Sequence, residues 1–134
     1  MTIFSKIVAG DIPSYKVAES IDFLAFLDIN PLAEGHVLVI PKKEVDYIFD
    51  LDDETYVGLQ IFAKIVATGL EKAIPCKRIG VAVIGLEVPH AHIHLIPMNH
   101  VSDLNFARPK LNFTPGQYEA TAEKIRLALK QNTD

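Results

Sequence analysis

The chain has 134 residues, 49% of them apolar, and a formal net charge of −4. That length fits one domain spanning residues 1–134 with material for a real core, and the acidic balance argues against a protein that works by neutralising nucleic-acid phosphates. The single cysteine, Cys76, excludes an intrachain disulfide and fits a reducing, cytoplasmic setting; no apolar run reaches the roughly 18 residues of a membrane span, and the N-terminus lacks the basic start and apolar core of a signal peptide.

Residues 2–9 place Ile3, Phe4 and Ile7 on one side of a helical turn or two, which Gly10-Asp11-Ile12-Pro13 ends. Tyr15–Glu19 and Phe23–Leu27 read as short strands joined by a turn. Asp28-Ile29-Asn30-Pro31 and Glu34-Gly35 carry loop chemistry, with Asp28 and Asn30 able to act as turn formers. His36–Pro41 is a third strand, apolar throughout after its first residue. A long helix is predicted from Asp52 or Asp53, either of which can cap it, to about Ala73. Its stripe is Leu59, Phe62, Val66 and Leu70, and Ile74-Pro75 stops it. Arg78–Ile84 is a fourth strand, Gly85–Pro89 a connector, and a fifth strand follows. Thr114-Pro115-Gly116-Gln117 opens a final helix, with Thr as cap, Pro in first position and Gln three residues after the cap. Five strands with segregated helices predict an α+β domain with a largely antiparallel sheet, one long helix and a C-terminal helix.

The fifth strand holds the most informative pattern, His90-Ala91-His92-Ile93-His94-Leu95-Ile96. Strand side chains alternate between faces, so three imidazoles line one face while Ala91, Ile93 and Leu95 point to the core. A solvated strand face more often carries Thr, Lys or Glu. A zinc site fits poorly: the outer α-carbons are roughly 13 Å apart at about 3.3 Å per residue, and no Asp, Glu or Cys stands in the run. Nucleophilic catalysis at phosphorus fits better. A neutral imidazole attacks phosphorus and leaves again, splitting one displacement into two. Its neighbours supply protons and charge, and backbone N–H groups of Gly85–Val88 can hold phosphate oxygens. A protonated neighbour would lower the acid limb of the pH profile and add an alkaline limb, giving a bell. No P-loop is present.

These residues resemble the signature of the histidine triad (HIT) family, and the resemblance covers nearly the whole chain. Ile3-Phe4-Ser5-Lys6-Ile7 with Gly10-Asp11-Ile12-Pro13-Ser14 is similar to the family's N-terminal segment. Phe26-Leu27-Asp28-Ile29-Asn30-Pro31 resembles its ribose-contacting turn, and Gly35–Lys43 the strand with its fourth histidine. The resemblance implies a nucleotide hydrolase or nucleotidyl transferase acting at an α-phosphate, without an essential metal or cofactor. In it, His92 is the nucleophile and forms a nucleotidyl-histidine. His94 hydrogen-bonds the phosphate, and His90 supports the site from within, paired with His36. Asp28 holds the ribose; Ile3, Phe4, Ile7, Ile12, Phe26 and Ile29 wall a purine base; Gly85, Glu87 and Val88 form the phosphate-side turn. It also implies a homodimer joining two sheets. Two departures stand out. Leu86 replaces a Gln common before the triad, and Arg78–Ile84 lacks the usual Asn. Thr2 and Ser5 stand where some bacterial relatives carry a zinc-binding Cys-x-x-Cys, so that zinc is expected to be absent. His100 is expected at the surface and Cys76 as a packed thiol. A non-catalytic nucleotide-binding module and a metal-dependent hydrolase are the alternatives.

Overall fold

The computed structural model describes residues 1–132. Strands β1 (Lys16–Glu19), β2 (Phe23–Leu27), β3 (Val37–Pro41), β4 (Arg78–Ala82) and β5 (Ile93–Met98) form one antiparallel sheet in the order β1-β2-β3-β5-β4. Helix α1 (Ile3–Ala9) precedes the sheet, α2 (Asp53–Ala73) links β3 to β4, and α3 (Pro115–Asn132) ends the described chain. The expected α+β architecture is the one the chain forms.

The helix ends follow their capping chemistry. Asp52 Oδ2 accepts the Thr55 N–H at 3.1 Å at the start of α2. Thr114 and Gln117 cap α3 reciprocally, at 2.8 and 3.2 Å. Thr2 Oγ1 accepts the Ser5 N–H at 3.0 Å, and α1 ends at Gly10, whose φ of +84° suits a residue without a side chain.

Both faces of the sheet are covered, which is why β3 is apolar at every position. In the β2–β3 pair, Ala25↔Val39 and Leu27↔Val37 alternate with Leu24↔Ile40 and Phe26↔Leu38. The first set joins Ile93 and Leu95 against Leu59, Val66 and Leu70 of α2 and Ala122 and Ile125 of α3. The second set meets Phe4 and Ile7 of α1. Among the described residues no helix is long and apolar enough to cross a membrane.

Several strand ends differ from the sequence reading; β1, for one, starts at Lys16 and not at Tyr15. β3 starts at Val37, leaving His36 just outside it, and β4 ends at Ala82. β5 starts only at Ile93, so His90 and His92 precede the strand. The β3–β5 ladder runs Val37↔Leu95 to Val39↔Ile93. Beyond it comes Pro41, which has no N–H to continue a ladder, and whose carbonyl is taken by the His90 ring at 2.8 Å. The alternation outlasts the strand: Ala91 still packs in the α2–α3 core, while the rings of His90 and His92 both contact Phe4 on the other side.

Candidate active site

A cavity of about 370 Å³ opens on the α1 side of the sheet. Its apolar wall is Ile3, Phe4, Ile7, Ile12, Phe26 and Ile29; Asp28 lies at one end, His36, His92 and His94 at its floor, and Gly85, Glu87 and Val88 along its rim. All of these were expected at the site. His90 does not line the cavity; it is fully buried behind it. Gly85 has φ +74°, with open space where a Cβ would stand, so the turn needs glycine for its backbone and not for room.

Hydrogen bonds fix which ring nitrogens carry protons. The Leu32 N–H donates to His36 Nδ1 at 3.0 Å, so neutral His36 holds its proton on Nε2. That Nε2–H donates to His94 Nδ1 at 2.9 Å, which places the His94 proton on Nε2. His94 therefore offers the cavity a donor. His92 is wired the other way. Its Nδ1–H donates to the His90 carbonyl at 2.7 Å, leaving an unprotonated Nε2 with a lone pair. The pairing of His90 with His36 expected from the family pattern is not formed; His36 pairs with His94 because its side chain enters from the loop before β3, beside the far end of the row. His90 instead donates from Nε2 to the Pro41 carbonyl, and its Nδ1 accepts from the Thr2 hydroxyl at 3.0 Å.

Thr2 extends that support outward. Its N–H donates to Glu44 Oε1 at 2.9 Å, and the Ser5 hydroxyl donates to the same oxygen. These bonds hold the Glu44 carboxyl below its usual range. Thr2 and Ser5 thus serve as hydrogen-bonding groups that tie α1 to His90.

Burial sets the charge state of the row. It pushes His94 down to about 3 and His36 down to about 4, with neighbouring charges adding to the effect, and it lowers His90 as well. These histidines are neutral near pH 7. The expected imidazolium beside His92, and the alkaline limb it would bring, therefore lose their source.

Asp28 does two things at once. Oδ1 accepts the Asn30 N–H at 2.8 Å, forming the turn, while Oδ2 lies 3.6 Å from His36 Nε2. Asp28, His36 and His94 bring ligand-type atoms within 4.8 Å of one another, a cluster the spacing of the triad did not suggest. A metal on His36 Nε2 would force the remaining proton onto Nδ1, facing the Leu32 N–H donor to donor. Metal-bound histidines need the opposite partner there, a carbonyl or carboxylate. The donor set does not fit a resident cation.

Four contributors escaped the sequence reading. Phe106 and Lys110 line the cavity from the segment between β5 and α3, and the Phe106 ring packs on His94 with centroids 4.8 Å apart. Thr2 and Glu44 lie 42 residues apart and carry no shared motif. His100 is exposed and begins a 3-10 turn at Val101–Leu104, and Cys76 is a partly buried thiol raised by burial.

Comparisons with known proteins agree with this geometry. The HIT domain family model matches residues 9–101. Adenosine 5′-monophosphoramidase hnt1 of Schizosaccharomyces pombe is 37% identical over 131 residues, covering 96% of this chain and 98% of that protein. Adenosine 5′-monophosphoramidase HNT1 of Saccharomyces cerevisiae is 40% identical over 100 residues, 71% of this chain and 61% of that one. Among solved structures, a Hit-like protein from Bartonella henselae superposes with a TM-score of 0.84 at 34% identity, over 95% of each chain. The fold, the alternating histidines and the relatives agree: this chain belongs to the HIT domain family.

Proposed function

We propose that the protein is a nucleotide hydrolase or nucleotidyl transferase that cleaves purine nucleotide conjugates at the α-phosphate through a nucleotidyl-histidine on His92. The observation that carries this reading is the wiring of His92, with Nδ1–H on the His90 carbonyl and the Nε2 lone pair left over beside the cavity. The base lies against Phe4, Ile7 and Phe26, and Asp28 Oδ2 accepts from the ribose hydroxyls. Nε2 attacks the α-phosphorus, and the bond to the leaving group breaks with its electron pair, a leaving amine taking up a proton from solvent as it departs. Positive charge then develops on the His92 ring, where the His90 carbonyl accepts a stronger hydrogen bond. His94 Nε2–H donates to a phosphate oxygen and stays neutral throughout. Water next attacks phosphorus and gives up a proton to solvent, the bond from phosphorus to His92 Nε2 breaks, and His92 regains its lone pair as nucleoside monophosphate leaves.

Phosphoramidates come first among substrates because two similar proteins are named adenosine 5′-monophosphoramidases. The test is turnover of adenosine 5′-phosphoramidate, dinucleoside polyphosphates and nucleotide sugars by wild type and by His92→Ala. Turnover of any of these by wild type alone supports the reading. Nucleotide binding with no turnover of the whole set would favour the non-catalytic module. Loss of activity in EDTA with rescue by zinc would favour a metallohydrolase.

We also infer that two copies pair along β4. This strand is an edge of the sheet. Val81, opposite Leu95, shares its face with α2, whose Val57, Ile61 and Ile65 form an exposed stripe four residues apart. Sedimentation should give a dimer, and Ile61→Lys should give a folded monomer.

A further inference from the structure

One wall of the cavity comes from neither the triad nor the base-wall helix. The segment between the 3-10 turn at Val101–Leu104 and α3 returns to the Asp28 loop, where the Leu111 N–H donates to the Pro31 carbonyl at 2.8 Å. Phe106 and Lys110 of this segment line the cavity beside His94. The Lys110 ammonium donates to the carbonyls of Phe106 and Arg108 and lies 5.8 Å from the Phe106 ring centroid. An ammonium has three N–H donors, so one remains for a ligand. The Lys110 charge is felt within the site: it adds to burial in lowering both His36 and His94.

The charge inventory of the cavity gives this residue its importance. Asp28 and Glu87 contribute carboxylates, and His36 and His94 are neutral near pH 7. The glycine turn presents Leu86, whose side chain has no donor. Among the described lining residues Lys110 is the one lysine or arginine. A phosphoramidate brings one anionic phosphorus, which the neutral donors can serve. A conjugate with a further phosphate brings charge that neutral donors and carboxylates cannot balance.

We propose that Lys110 is a specificity residue for conjugates carrying a second anionic group next to the α-phosphate, the class of dinucleoside polyphosphates and phosphate-bearing leaving groups. This rests on the cavity being a nucleotide site, as argued above.

Calorimetric titration of the full chain with AMP and with α,β-methylene-ADP, whose P–C–P bridge cannot be cleaved there, reads the proposal without turnover. Wild type should bind the diphosphate analogue about tenfold tighter than AMP. Lys110→Gln should bring that ratio to about one while AMP affinity changes less than about twofold, and Lys110→Arg should keep most of the preference. Equal affinities in wild type, a preference that survives in Lys110→Gln, or equal weakening of both ligands would overturn the proposal. Failure of wild type to bind either nucleotide would overturn it together with the nucleotide reading.

Discussion

On one face of the sheet, Val39, Ile93 and Leu95 meet α2 and α3 through apolar contacts alone. On the other, His36, His90, His92 and His94 are just as buried, among Phe4, Phe26 and Leu38, and each ring is oriented by a named donor or acceptor. The first face is held by non-directional burial, which accepts any well-packed residue of similar volume. The second is held by hydrogen bonds that fix tautomers, where one misplaced proton breaks the chain from Leu32 to His94. The two faces therefore separate stability from chemistry.

Exchanging the two kinds of damage should break this separation if it is wrong. His92→Ala should lower turnover by about a thousandfold or more while leaving the fold and nucleotide binding largely intact, as read by steady-state kinetics, titration and thermal melting. Leu59→Ala, in the core under α2, should do the reverse. It should cost about 2–5 kcal/mol of stability, with kcat per folded molecule unchanged.

Acid should find the histidine face first. His36 and His94 lie near 4 and 3 in the folded protein and near 6.5 when unfolded. The unfolded chain therefore binds more protons between those limits, and stability falls as the pH drops from about 6.5 toward 4. Denaturant melts should show a progressive loss of stability across that window, smaller in His94→Asn. For catalysis, the neutral neighbours predict a plateau toward alkaline pH. An alkaline limb that vanishes in His90→Asn or His94→Asn would restore a protonated neighbour.

Smaller effects sharpen the boundary between the faces. Leu86→Gln adds a donor at the phosphate-side turn, and a charge-assisted bond of about 1.5–3 kcal/mol should raise turnover by about tenfold on at least one substrate. Thr2→Val removes the hydroxyl that joins α1 to His90. It should raise KM severalfold through a looser base wall, at a kcat close to wild type; an equal loss in kcat would place Thr2 in the chemistry itself.

Helix ends and face assignments were legible in the sequence where the signal is local. Asp52, Thr114 and Gln117 cap as their spacing predicts, and Ala91, Ile93 and Leu95 alternate with the histidines. The start of β5 was not legible, because it depends on β3, where Val39 pairs with Ile93 and Pro41, 52 residues from Ile93, has no N–H to extend the ladder. The role of His90 was not legible for the same reason: its partners, Thr2 and Pro41, meet it only in the fold. Lys110 carries no motif; it is revealed by the return of its segment to Pro31.

The central claim is that His92 Nε2 attacks phosphorus before water does. The stereochemical course at phosphorus tests this directly, because it reads the number of displacements whether or not an intermediate accumulates. A substrate with a chiral α-phosphorothioate, hydrolysed in isotopically labelled water, should give product with net retention, from two successive inversions. Net inversion would mean that water attacks in a single displacement, and it would contradict the account.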